Sequence, residues 1–352
     1  MKKIVKHIWV ILFLVVLAFS STSCGNVSEP TLRVVFMTNT TRFNEKGGMN
    51  EQIRNTLSTF SGGNVSVKIV QPMTQEEQVP TLRELADSGE YDLILCAGYT
   101  TGKAVDVVSQ EYADQLFGTI DYISNASNVF SVVFSEEQAA FYCGVMAALM
   151  TETGVVGLVS SFAGIDVEYH YGFKAGVQAV DPEIVVVEQY TNAYEDITTA
   201  EGVIAGFEEA DVDVFYTSAA APTSRLIELA GEKNMKVLNA NVYTYSQESS
   251  SLACIVNKEY ASSVEYVLNM TAEYLAQSDE GETLISTDLR YVGIDQNAYK
   301  FQLAASVDKS VREQLDKLVL MFQDGTPIVI PRDERSFSTF DYSIFEGKFS
   351  RT

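Results

Sequence analysis

From residue 32 onward the chain alternates apolar, β-branched runs with segments of helical period, and this alternation restricts the fold more than any single motif. The runs are LRVVFM, VSVKIV, DLILCA, FGTIDY, VFSVVF, VVGLVS, EIVVVEQY, VDVFYT, KVLNAN, LACIVN and LRYVGI. Between most of them lie segments such as MNEQIRNTLSTF, TGKAVDVVSQEY, GFKAGVQAV, TTAEGVIAGFEEA and PTSRLIELAGEKN. Strands that are apolar throughout and separated by helices predict parallel sheets covered on both faces. That is a doubly wound α/β architecture. So many strands overfill a single sheet, and 352 residues suffice for two cores, so two lobes are expected.

The stretch SVVFSEEQAAFYCGVMAALMTETGVVGLVSS carries a strand, a small-residue helix and a second strand almost without a loop. It reads as a hinge crossing followed by the first βα unit of the second lobe. Ser135 is expected to cap the helix, with Gln138 completing a capping box. Ala139, Ala140, Cys143, Gly144, Ala147 and Ala148 give a helix thin enough for close packing against a sheet. With further crossings near residues 241 and 290, the layout is that of type I periplasmic solute-binding proteins: two doubly wound parallel-sheet lobes on a three-strand hinge. The expected division is 32–134 with 242–288 in one lobe, and 135–241 with 289–352 in the other.

The N-terminus has a different chemistry. Lys2, Lys3 and Lys6 precede an unbroken apolar run from Ile8 to Phe19, and small residues then lead to Cys24. A basic region, a short apolar region and a small-residue exit predict a signal peptide over residues 1–23. The apolar run is short for a spanning helix. Small residues ending on a cysteine resemble a bacterial lipobox, although Ser21 stands where leucine is usual. Cys24 is therefore expected to be diacylated, with 24–31 as a tether, which places the protein in the cell envelope on the exported side. The alternative is an ordinary cleaved signal with a chance cysteine.

A formal net charge of −23 argues against a nucleic-acid partner, whose phosphates it would repel. Cys96, Cys143 and Cys254 each sit among apolar neighbours and read as buried thiols. No Cys/His spacing suggests a metal, and no phosphate-binding loop, nucleophile elbow, zincin helix or dinucleotide fingerprint suggests an enzyme or a cofactor. His170, between two tyrosines, reads as a helix-surface or cleft-rim residue. An envelope hydrolase remains the less favoured alternative to a binding protein.

Ligands of open α/β sheets sit beyond the carboxyl ends of the strands. The loops there are rich in Tyr, Phe, Asn, Ser and Thr and poor in Lys and Arg, which suits a neutral, hydroxyl-rich or aromatic ligand. Phe43, Tyr99, Phe162 and Tyr216 offer flat faces, and Asp121 can accept from vicinal hydroxyls. Three of these have a plainer role open to them: Phe43 as a loop anchor, Asp121 as a turn residue, Tyr216 as core.

Several blocks in order resemble one family. NVFSVVFSEEQAAFYCGVMAALMTETGVVGLV, YHYGFKAGVQAVDPEIVVVEQY, YEDITTAEGVIAGFEEADVDVFY, FNEKGGMN, CAGY and DQLFGTID are similar to blocks of the basic membrane protein family of substrate-binding lipoproteins, which includes a purine nucleoside receptor. The resemblance implies a monomeric venus-flytrap receptor that delivers a nucleoside-like molecule to an ABC-type permease. It implies that Phe43 stacks on the base, that Asn44 and Asp121 hold the base edge or the ribose, and that Lys258 completes the set, with Tyr216 near a second aromatic. Two departures bear on the ligand. MTNTTRFN lacks the acid that family members carry before the Phe-Asn pair, and Asn241 stands where they carry a carboxylate. A sugar or other small-metabolite receptor, or a sensory lipoprotein, is the alternative.

Overall fold

The computed structural model describes residues 32–38, 48–60, 64–164, 167–240, 249–279 and 289–351. The signal segment, the tether, Cys24, Phe43, Asn44 and Asn241 lie outside the described residues.

All eleven expected runs form strands, and with one further strand they make two six-stranded sheets. The first contains β1 (Leu32–Met37), β2 (Val65–Val70), β3 (Leu93–Ala97), β4 (Leu116–Ile120), β5 (Val129–Phe134) and β11 (Leu289–Val292), in the order β11-β5-β4-β3-β1-β2. Every pairing in it is parallel. The second contains β6 (Val155–Ser160), β7 (Val185–Tyr190), β8 (Val214–Thr217), β9 (Lys236–Ala240), β10 (Leu252–Lys258) and β12 (Tyr299–Leu303), in the order β12-β10-β9-β8-β6-β7. The strand over 299–303 was not among the expected runs. Its sequence, YKFQL, alternates polar and apolar residues, because it is an antiparallel edge strand beside β10 with only one face to cover.

Among the described residues the chain passes between the sheets three times. The first passage follows β5 and the third links β11 to β12, close to the expected positions. The second falls at 259–260, not near 241, because β10 pairs with β9 in the second sheet. LACIV is apolar on both faces and fills a slot between two strands, whereas β11 is an edge strand with three exposed residues. The expected division therefore changes: 249–258 goes with the second sheet and 289–292 with the first. The helix after β10, Ala261–Asp279, does cover the first sheet, with Val267 lying over Gly118 of β4.

The helices, in chain order, are α1 (Met49–Thr59), α2 (Gln78–Ser88), α3 (Tyr99–Val108), α4 (Glu136–Met150), α5 (Val167–Val180), α6 (Ala200–Glu209), α7 (Pro222–Glu232), α8 (Ala261–Asp279), α9 (Lys309–Gln323) and α10 (Glu334–Ser338). In α4 twelve of 15 residues are buried, so it has no solvent face. Its small residues allow close approach to a neighbouring helix as well as to a sheet. A Cβ at Gly144 would strike the Phe173 carbonyl of α5, and a Cβ at Gly172 or Gly176 would strike the Glu137 or Phe141 carbonyl of α4. The expected capping box is not made: the Ser135 side chain caps nothing, and Gln138 Oε1 accepts from Ile294 N at 2.8 Å. Gln138 thereby ties the first crossing to the third. Cys96, Cys143 and Cys254 are buried free thiols, as expected.

A candidate ligand cleft built on Lys258

Asp121 follows the carboxyl end of β4 in the left-handed conformation, φ 62°, which costs a non-glycine residue energy unless its neighbours hold it. They do. Its N–H donates to the Val132 carbonyl at 2.8 Å. Tyr122 Oη and Ser124 Oγ both donate to Asp106, at 2.5 and 2.6 Å. The Tyr122 ring occupies the space that a side chain at residue 102 would need, which is why α3 carries glycine there.

Lys258, the last residue of β10, is 6% exposed. Its Nζ donates to both Asp121 oxygens at 3.0 Å and lies 2.5 Å from Glu136 Oε1. It also sits 5.0 Å from the centre of the Phe134 ring. Two carboxylates thus converge on one buried ammonium. Glu136 begins α4, and its other oxygen accepts from Tyr299 Oη at 3.3 Å. Burial pushes the Glu136 carboxyl up, and Asp121 adds to this, while Lys258 and the Tyr169 phenol pull it down. The Tyr169 and Tyr299 phenols are driven well above their ordinary range, chiefly by burial and then by Glu136. Phe134 makes edge contacts with Tyr260 at 5.2 Å and Tyr299 at 5.8 Å. From α1, Gln52 clamps the second crossing: its Nε2 donates to the Lys258 carbonyl at 3.2 Å and its Oε1 accepts from Tyr260 N at 3.1 Å.

Of the expected site residues, Asp121 and Lys258 come together. Tyr99 stands at the start of α3, 63% exposed, with Lys103 over its ring at 4.6 Å and Tyr122 edge-on at 6.0 Å. Tyr216 has no exposed surface; it stacks on Phe173 at 5.6 Å and lies beneath Tyr169. Its ring is occupied by the core, so the plainer reading describes it. Phe162 packs edge-on against Tyr194 at 4.9 Å. The residues missed are Glu136, Phe134, Tyr169 and Tyr299. The first two were within reach, since they flank the end of a strand at a crossing. Tyr299 opens the strand that the expected runs left out.

His170 is buried, contrary to expectation. Its Nε2 shares a hydrogen bond with Ser160 Oγ, and its Nδ1 another with Glu188 Oε2, both 2.9 Å long. The order serine–histidine–acid is that of a hydrolytic triad, but Ser160 has no exposed surface, so a substrate carbonyl has no route to it. The His170 hydrogen bond, helped by Lys174 and Tyr190, holds Glu188 down to about 2 against its burial. This cluster fastens α5 to β6 and β7.

The family model described as "ABC transporter substrate-binding protein PnrA-like", Bmp, matches residues 34–323. The chain belongs to this family. It is 23% identical over 350 residues to basic membrane protein D of Borreliella burgdorferi, covering 95% of this chain and 97% of that one. A CD4+ T-cell-stimulating antigen of Listeria monocytogenes is 29% identical over 163 residues, 46% of this chain, and the match spans only 45% of that relative's length. Among solved structures, an ABC transporter solute-binding protein from Aeropyrum pernix aligns with a TM-score of 0.61 over 90% of this chain and 97% of its own, at 16% identity. At that identity the likeness establishes the fold, which is the type I solute-binding fold.

Proposed function

We propose that the chain is the cargo receptor of an ABC-type importer, anchored in the envelope through a diacylated Cys24 after removal of residues 1–23. It acts as a monomer that presents a small polar ligand to a membrane permease. Two lobes, built on the two sheets, close over a cleft at the carboxyl ends of their strands. The observation that carries this reading is the Asp121–Lys258–Glu136 cluster. It joins a loop of the first sheet to the end of a strand of the second, at the place where ligands of this architecture bind.

The ligand we favour is nucleoside-like. Asp121 keeps acceptor capacity beyond its bonds to Lys258 and can take two vicinal hydroxyls. Phe43 supplies the stacking face, and Asn44 and Asn241 complete the polar ring with Lys258. Asn241, neutral and able to donate as well as accept, selects a base edge different from the one a carboxylate would select. Tyr99, exposed at the start of α3, forms a rim in this reading.

Calorimetry across a panel of nucleosides, free bases and simple sugars tests the reading. Asp121→Ala should weaken ribosides more than free bases. Phe43→Ala should cost about 1–3 kcal/mol, roughly fivefold to 150-fold in affinity. If the wild-type protein binds only sugars, or if Phe43→Ala changes no affinity, the nucleoside reading fails and a sugar receptor replaces it.

A further inference from the structure

Glu136 and Glu137 are neighbours at the start of α4, yet their carboxylates go different ways. Glu136 meets Lys258, whereas Glu137 lines a cavity of about 500 Å3 that shares no residue with the Lys258 cluster. The cavity lies among the start of α4, β11, the third crossing, the end of α9 and the segment 325–332. Glu137 is 5% exposed, and its Oε2 accepts no hydrogen bond among the described residues. Arg332 Nε stands 3.2 Å away without hydrogen-bond geometry, and its guanidinium lies over the Tyr291 ring at 4.1 Å. Glu137 and Arg332 form an ion pair, but with no donor hydrogen aimed at it Glu137 Oε2 keeps acceptor capacity that the described residues leave unused.

The charges around the cavity give the sign of what fits there. Glu137 and Asp295 oppose Arg332 alone, a balance of one negative charge. The rest of the wall is mixed, its apolar part coming from Phe322, Pro327, Ile328 and Ile330. Its volume is within the range of small-molecule sites. A monocation with hydrogens to donate matches both the negative balance and the open acceptor on Glu137.

We propose that this cavity is a second ligand site, which takes a small primary ammonium compound with a short aromatic or aliphatic body. The ammonium donates to Glu137, with Asp295 at the rim, and the body lies against Phe322, Ile328 and Ile330. The site does not depend on the identity of the cleft ligand. It touches two of the three crossings, through Ser135 and Asp295. Burial pushes the Glu137 carboxyl up to about 7, with Glu136 and Glu168 adding to the rise and Arg332 opposing it. Amine affinity should therefore fall as pH drops through about 7 and Glu137 becomes neutral.

Phenethylamine, with phenethyl alcohol as its neutral counterpart, tests the proposal by calorimetry on the mature protein. At pH 8 the amine should bind and the alcohol should bind much more weakly. Glu137→Gln should weaken the amine at least tenfold and remove its pH dependence, while retaining the wild-type circular dichroism spectrum. Asp295→Asn, a rim change that leaves the buried wall intact, should give a smaller loss. Absence of heat with millimolar amine at pH 8 would overturn the proposal. So would equal binding of amine and alcohol, or amine affinity unchanged in both variants.

Discussion

Lys258 is held where a chain crossing, a left-handed loop and a helix start converge, and it carries the positive charge between Asp121 and Glu136. Removing one partner of a buried ion group leaves the other charges without compensation, at a cost of about 3–5 kcal/mol. Lys258→Ala should therefore lose stability on that scale in urea denaturation. Lys258→Met combined with Glu136→Gln, which removes charge from both sides, should recover much of the loss. If the single and double variants are equally unstable, packing and not charge explains the site. The same residues show where sequence reading reached its limit. Asp121 was legible from its place at the end of a strand run, and Lys258 only through the family resemblance. Glu136 carries no comparable signal, because an acid in the first turn is common at helix starts through the helix dipole.

α4 and α5 pack backbone against backbone, and three glycines make this possible. Gly176 faces the Phe141 carbonyl, and a backbone carbonyl cannot move aside as the end of a flexible side chain can. Gly176→Ala should destabilise the protein by about 1–3 kcal/mol, despite the gain of about 1 kcal/mol in helix propensity. Gly202 in α6 has nothing within 4 Å of where its Cβ would lie, so Gly202→Ala should be neutral or stabilising. Thermal melts of the two variants make the comparison, and equal melting temperatures would remove the packing account. The GFKAG spacing was visible in the sequence, but its partner was not. Small residues at helical spacing allow close approach without saying whether a sheet or another helix lies opposite.

At the scale of the molecule, the two sheets are joined by crossings at Ser135, at 259–260 and at 293–298, and Gln138 and Gln52 tie their backbones together. Lobes joined in this way are expected to rotate about the crossings on binding ligand and shift towards a closed population. Small-angle scattering should show a smaller radius of gyration with a saturating ligand, and an identical profile with and without ligand would count against closure. The sequence by itself determined the local and repetitive features. Apolar runs with turn residues between them named eleven of the twelve strands among the described residues, predicted mostly parallel sheets, and by their number made two lobes the expected solution. Only the tertiary structure decided which sheet each late strand joins, since LACIVN is equally apolar for either core and the choice rests on the neighbour available, here β9. It alone decided that Tyr216 belongs to the core, that Glu136 belongs to the cluster, and that Gln138 serves a crossing and not a cap. Those roles depend on side chains far apart in the chain, 156 residues in the case of Gln138 and Ile294, and local pattern carries no information about such partners.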